Sequence, residues 1–100
     1  MSYRVRVRSV ALAEFAEATA WYVDRSPQAA ARFVTAIEAT FQVLAEGAHR
    51  FPLVHFDVRR VGVPRFPYSL YFKIRGGECF VIAILHGRRH PRRWQSRSEA

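Results

Sequence analysis

The chain begins with a strict alternation of apolar and basic side chains. Residues 3–8 read Tyr-Arg-Val-Arg-Val-Arg. Successive side chains of an extended strand point to opposite faces, so the tyrosine and the valines share one face and the three arginines share the other. This pattern predicts a half-buried strand, and the arginine-covered face places it at the edge of a sheet.

Two helical segments follow, each with apolar residues at a spacing near 3.6. The first is predicted over roughly Val10–Asp24, with Ser9 as its N-cap. The pair Ser26-Pro27 then supplies a second N-cap residue and a proline at the first helical position. The second helix should run to about Glu46, with Gly47 as its C-terminal stop. Because the connection is so short, the two helices must pack antiparallel as a hairpin.

The remainder of the chain is mostly extended. Residues 48–54 lack periodicity and are predicted to form a loop, after which Phe56–Val63 resumes extended character. Tyr68–Arg75 and Glu78–His86 are two strong strand segments on either side of Gly76-Gly77. Two glycines between alternating apolar runs predict a two-residue hairpin turn.

This turn also predicts which side chains of the hairpin share a face, because directly opposed residues lie on the same side. One face should be almost wholly apolar and lie under the helices. It contains Tyr68, Leu70, Phe72, Ile74, Cys79, Val81, Ala83 and Leu85. The other face mixes polar and apolar residues and is a candidate docking surface. It contains Ser69, Tyr71, Lys73, Arg75, Glu78, Phe80, Ile82 and Ile84, with His86 near Pro67.

Composition indicates one globular domain over residues 1–100. Hydrophobic residues make up 50% of the chain and aromatic residues 14%, which is enough to build a core. Cys79 is the only cysteine, so neither an intrachain disulfide nor a cysteine-based zinc site can form. We expect a reducing, cytoplasmic setting. No signal-peptide pattern and no apolar run of membrane-spanning length is present, so no membrane partner is expected.

Charge is distributed unevenly. The formal net charge is +8, yet acidic and basic side chains balance over residues 1–58. The whole excess therefore belongs to residues 59–100, where most cations are arginines. A surface of one sign attracts nucleic-acid phosphates or an acidic protein.

The densest group of cationic and imidazole side chains follows the last predicted strand. It contains His86, Arg88, Arg89, His90, Arg92, Arg93, Trp94 and Arg97. This segment is either a solvated tail or a structure folded back on the sheet, and Pro91 and Trp94 favour the second, with residues 91–100 partly folded back. The four-residue spacing of His86 and His90 suits a helix rather than this region, and no carboxylate lies nearby. No metal site and no cofactor are therefore expected.

Several short motifs, taken in order, carry a family resemblance. They are Ala11-x-x-Glu14-Phe15-x-x-Ala18-x-x-Trp21-Tyr22, Ser26-Pro27-x-x-Ala30-x-x-Phe33, Arg60, Phe66-Pro67-Tyr68-x-x-Tyr71 and His86-x-Arg88-Arg89-x-Pro91-x-x-Trp94-x-x-Arg97. Together they resemble the RelE/ParE superfamily of toxins from bacterial type II toxin–antitoxin systems. The resemblance implies an α+β fold of order β-α-α-β-β-β, with the helix hairpin on one face of a small antiparallel-rich sheet.

The resemblance implies two alternative activities. ParE-like toxins poison DNA gyrase and cleave no RNA, whereas RelE-like toxins cut mRNA in the ribosomal A site. The segment Pro67-Tyr68-Ser69 lacks the cation that RelE-like toxins carry there, and the Phe-Pro-Tyr motif is more similar to ParE. We therefore expect a plasmid-stabilisation toxin that poisons gyrase, with ribosome-dependent mRNA cleavage as the alternative. A non-catalytic nucleic-acid-binding module is a third hypothesis, so the chain is an enzyme only in the RelE-like case.

The expected site residues follow from the same comparison. An RNase would use His86, Arg88, His90 and Arg60. Target binding would use Arg60, Arg65, Tyr71, Lys73, His86, Arg88, Arg89 and Trp94. We expect Arg60, His86, Arg88 and Trp94 to lie on a single surface. The predicted partners are a cognate antitoxin with an acidic C-terminal segment, and either DNA gyrase or the ribosome with its mRNA.

Overall fold

The computed structural model describes residues 2–89 and 91–98. Its strands are β1 (Arg4–Val7), β2 (Leu53–His55), β3 (Val58–Gly62), β4 (Tyr68–Arg75) and β5 (Glu78–His86). Its helices are α1 (Ser9–Arg25), α2 (Pro27–Gly47) and the short α3 (Arg92–Gln95), with a 3-10 turn at Ala48–Arg50. The predicted α+β class is confirmed. None of the helices within the described ranges has the length and apolar character needed to cross a membrane.

The two long helices begin differently. The Ser26 hydroxyl accepts a hydrogen bond from the Ala29 N–H at 3.2 Å, and Pro27 is the first residue of α2, as predicted. Helix α1 begins at Ser9 itself, and Arg8 occupies the cap position without a side-chain hydrogen bond. The predicted Ser9 cap is therefore wrong, because Arg8 is the one residue between β1 and α1 and takes the cap position, so that Ser9 falls inside the helix.

The main core lies between the helix hairpin and one face of the sheet. Phe33, Ile37 and Leu44 of α2 are fully buried there, against Leu70 and Phe72 of β4. Aromatic rings join the layers, since Phe33 lies 5.1 Å from Tyr68 and 5.2 Å from Phe66 between ring centroids. The apolar stripes predicted from helical spacing are thus the surfaces that hold the helices on the sheet.

The sheet is mixed, in the order β1-β5-β4-β3-β2. The edge position predicted for β1 is confirmed, and β1 pairs in parallel with β5. Leu53 and Val54 of strand β2 lie in the segment predicted to be a loop, because three residues are too few to show a period. Phe56, predicted to be extended, lies instead in the tight turn between β2 and β3 with a φ of 50°.

A β-bulge in the β4–β5 hairpin changes the predicted pairing. The register holds from Arg75 opposite Glu78 to Phe72 opposite Val81, but Tyr71 then pairs with Ala83 instead of Ile82. One extra residue in β5 moves every later side chain to the other face of the sheet. Of the residues after the bulge, Ile84 joins the core under the helices, whereas Ala83 and Leu85 face away from it. The predicted faces of these three residues are therefore wrong.

The face of the sheet opposite the long helices is covered by residues 91–98, which we call the C-terminal segment. The Trp94 ring stacks on the Tyr71 ring, with centroids 4.5 Å apart. The Lys73 Nζ donates a hydrogen bond to the Ser98 carbonyl at 2.7 Å. Because Tyr71, Lys73 and Ile82 are buried beneath this segment, much of the predicted docking surface is not exposed.

Candidate functional site

A cleft of about 500 Å³ lies between α1 and the end of β5, and we call it the α1–β5 cleft. One group of lining side chains is aromatic, and the other is cationic. The aromatic group consists of Trp21, Tyr22, Tyr68 and His86, and the cationic group consists of Arg88, Arg89 and Arg93. The bulge in β5 contributes to this arrangement, because it places His86 on the helix side of the sheet, opposite Tyr68.

His86 is held in a defined orientation. Its ring lies edge-on to Tyr68, with ring centroids 5.3 Å apart. Its Nδ1 accepts a hydrogen bond from the Arg88 backbone N–H at 3.0 Å. A neutral imidazole that accepts at Nδ1 carries its proton on Nε2, so His86 presents a donor at that atom. The turn after β5 is closed by the Gly87 N–H, which donates to the Pro67 carbonyl at 2.8 Å.

The cationic side of the cleft is only partly neutralised. Arg89 lies 3.8 Å from the exposed carboxylate of Glu17, a long ion pair. Within residues 2–89 and 91–98, Arg88 and Arg93 have no carboxylate at ion-pair distance. Two exposed guanidinium groups beside a partly buried aromatic surface give the cleft a net positive charge and hydrogen-bond donors that can hold an anion.

The phenols of the cleft stay protonated. Burial raises the pKa of Tyr22 above its ordinary value. The pKa of Tyr68 is raised chiefly by burial and further by Tyr22 and Glu17, while Arg89 opposes the shift. Both hydroxyls therefore remain neutral hydrogen-bonding groups at physiological pH.

Glu14 is the other carboxylate that lines the cleft, and it is fully engaged. Its two oxygens accept hydrogen bonds from Nη1 and Nη2 of Arg97, each at 3.0 Å. One oxygen also accepts from the Ile84 N–H at 3.1 Å, and Arg97 donates to the Ile82 carbonyl at 2.9 Å. Strand β1 pairs with β5 only as far as Val81, so this ion pair satisfies the edge of β5 where β1 has ended.

The predicted site residues fall into separate groups. His86, Arg88 and Arg89 lie in the α1–β5 cleft. Arg60 pairs with Tyr71 on the opposite face of the sheet, the face that Trp94 and the C-terminal segment cover.

The expected single surface is therefore not formed. The physical reason is the bulge, since an unbroken register would have kept His86 on the Arg60 side. Pairing places these two residues three positions and two strands apart, or roughly 14 Å along the sheet.

The remaining predicted residues are placed as follows. Lys73 is 2% exposed, and burial is the main cause of the lowering of its pKa. Its ammonium group points to the Ser98 carbonyl rather than to an external target. Arg65 is exposed in the β3–β4 connection, with a φ of 70°. His90 lies outside the described residues, and the residues that are described contain no group of His, Cys, Asp and Glu able to hold a metal.

Sequence reasoning missed one wall of the cleft. Neither Trp21 nor Tyr22 was among the predicted site residues; Tyr22 packs against Phe33, but Trp21 is 48% exposed at the cleft. Glu14, Glu17 and Trp21 recur at helical spacing, which puts them on one side of α1. That periodicity was the available signal, since a face bearing two carboxylates and an indole is atypical of a core-facing stripe.

Comparisons with known proteins agree with this architecture. One similar solved structure is described as the chromosomal ParDE TA system from P. aeruginosa. A chain of that structure superimposes on this one with a TM-score of 0.76 and 22% identity, and the match covers 85% of this chain and 96% of the other. The two chains therefore share a fold. Toxin RelE1 of Caulobacter vibrioides is 30% identical over 89 residues, 87% of this chain and 96% of the relative. The family model for the ParE toxin of the type II toxin–antitoxin system parDE matches residues 5–91. The chain therefore belongs to the ParE toxin family and is a toxin of a type II toxin–antitoxin system.

Proposed function

We propose that this toxin inhibits growth by poisoning DNA gyrase in the cytoplasm, without cleaving RNA. The choice of gyrase poisoning over RNA cleavage rests on one observation. Arg60 and His86, two residues that an RNA-cleaving site would use together, lie on opposite faces of the sheet. Phosphoryl chemistry requires an acid or base and a cation on the same phosphate, within hydrogen-bond reach of the reacting atoms. With backbone positions roughly 14 Å apart and side chains on opposite faces of the sheet, the two groups do not meet that requirement.

Further support comes from the face that carries Arg60. Tyr71 and Lys73 are buried there beneath Trp94 and Ser98. A messenger strand would have to displace the C-terminal segment before it touched them.

Cleavage of mRNA on the ribosome is the second candidate, because a relative of 30% identity is named Toxin RelE1. His86 and Arg88 are the residues that would carry out the cleavage. The His86 imidazole offers an N–H donor at Nε2, and the neighbouring Arg88 guanidinium can donate hydrogen bonds to a phosphate. This version of the site would work without Arg60.

The test separates the two targets in the same cells. The toxin is expressed from an inducible promoter, and we expect an SOS response and DNA covalently trapped on gyrase, with primer extension showing intact transcripts. Purified toxin added to gyrase and supercoiled plasmid should accumulate linear DNA. Transcripts cut within codons, together with unbroken plasmid, would overturn the gyrase proposal and favour RNA cleavage by His86 and Arg88.

We also propose that the cognate antitoxin binds through a net acidic segment. The support is the excess positive charge, all of which belongs to residues 59–100. Co-expression with the adjacent small reading frame should yield a complex that dissociates more readily as salt is raised. An antitoxin with a basic toxin-binding segment would contradict this part of the proposal.

A further inference from the structure

The aromatic side chains of the α1–β5 cleft form a continuous series. Ring centroids are 5.0 Å apart for Trp21 and Tyr22, 6.4 Å for Tyr22 and Tyr68, and 5.3 Å for Tyr68 and His86. The core needs only part of this series, because Tyr22 and Tyr68 already pack against Phe33. The half-exposed indole of Trp21 therefore extends the aromatic surface into solvent.

Trp21 is also held in place. The Arg25 guanidinium lies 3.7 Å from the Trp21 ring centroid, and its Nη1 donates to the Trp21 carbonyl at 3.0 Å. Cation–π stacking of this kind restricts the ring without covering it completely, as its 48% exposure shows. A restricted aromatic ring loses little conformational entropy when a flat ligand stacks on it.

Charge in the cleft favours an anion. Glu14 is neutralised by Arg97, and Glu17 is the other carboxylate of a lining that contains three arginines. The volume of about 500 Å³ lies within the range of roughly 300–1,000 Å³ that is typical of small-ligand sites. The cleft thus combines aromatic faces with guanidinium donors at its rim.

We infer that the α1–β5 cleft binds a segment of single-stranded nucleic acid, with a base stacked on Trp21 and flanking phosphates held by Arg88 and Arg93. Stacking on aromatic rings beside a cationic rim is how proteins hold unpaired bases. An acidic peptide would satisfy the arginines, but its carboxylates would leave the aromatic faces unused. The inference does not depend on gyrase as the target.

Binding to the purified toxin, without gyrase, tests the inference. Fluorescence anisotropy of labelled oligo-dT and oligo-U of about ten nucleotides, the span of one small binding site, measures affinity across a range of salt. Trp21→Ala should weaken binding about tenfold, and Trp21→Phe should recover part of the loss. The matched control is Val23→Ala, which removes a 50% exposed apolar side chain from the same helix and should leave binding unchanged.

Salt dependence tests the arginines. The double variant Arg88→Ala/Arg93→Ala should lower the magnitude of the slope of log affinity against log salt by about 1.4, since each phosphate contact to a single strand contributes about 0.7. Arg32→Ala removes an exposed cation of α2 that does not line the cleft, so it should leave the slope unchanged.

The possible outcomes decide the inference. Binding that Trp21→Ala weakens supports the inference. Tighter binding of oligo-U than of oligo-dT then identifies RNA as the natural ligand, and the reverse order identifies DNA. Equal losses for Trp21→Ala and Val23→Ala, or equal slopes for the double variant and Arg32→Ala, would overturn it. Competition by oligoglutamate of the same length at equal concentration would also overturn it, and would assign the cleft to an acidic peptide.

Discussion

Arg97→Ala should be the most informative single substitution for the stability of this fold. The Arg97 and Glu14 side chains are only 21% and 12% exposed, and together they satisfy the edge of β5 beyond β1. Removing the guanidinium leaves the Glu14 carboxylate nearly buried, where among the described residues it still accepts from the Ile84 N–H. It also removes the donor that Arg97 supplies to the Ile82 carbonyl.

The magnitude follows from this burial. Removing one partner of a buried ion pair costs about 3–5 kcal/mol, and the lower figure applies because neither side chain is completely excluded from water. A loss of about 3 kcal/mol corresponds to a fall in Tm of roughly 12–24 °C in a domain of this size. By contrast, Arg6 and Glu78 form an ion pair whose side chains are 52% and 35% exposed. Arg6→Ala should cost less than about 1 kcal/mol.

Urea unfolding of the purified variants provides the measurement. Arg97→Ala, Glu14→Ala and the double variant form a thermodynamic cycle, for which we expect a coupling free energy of about 2 kcal/mol. Arg6→Ala is the matched control, since it also removes an arginine from a strand-edge ion pair. If Arg97→Ala and Arg6→Ala lower the free energy of unfolding by the same amount, burial does not set the strength of the Glu14–Arg97 pair and the reasoning is refuted.

Two further predictions concern a buried thiol and a strained turn. Burial raises the pKa of Cys79 from 9.0 to about 12. Above pH 9 the thiol therefore loses its proton in the unfolded chain but keeps it in the folded protein, and the free energy of unfolding should fall by about 1.4 kcal/mol per pH unit. Cys79→Ala should reduce that slope in unfolding measured from about pH 9 to about pH 11, and an unchanged slope would contradict the assignment. Phe56, 78% exposed at a φ of 50°, occupies a conformation that asparagine adopts more readily, so Phe56→Asn should raise the free energy of unfolding by about 0.5–1 kcal/mol. Leu53→Asn, at an exposed strand position nearby, should bring no such gain, and an equal gain there would exclude backbone strain as the cause.

The candidate site could be predicted from the sequence only in part. The cluster that begins at His86 was visible because its cations are consecutive, and His86, Arg88 and Arg89 do lie in one cleft. Trp21 was not associated with them, although it lines the same cleft. Trp21 and His86 are 65 positions apart in the chain, and no local pattern reports which helix face will cover the end of which strand.

The sequence by itself determined the two long helices, the hairpin between β4 and β5, and the burial of Cys79, because helical and strand periods arise from interactions between near neighbours. The tertiary structure alone decided the parallel pairing of β1 with β5, the bulge at Ile82 and the covering of Tyr71 by the C-terminal segment. Each of these depends on surfaces that meet only after distant parts of the chain have packed. The bulge had the largest consequence, since one unpaired residue turned His86 to the other face of the sheet and separated it from Arg60.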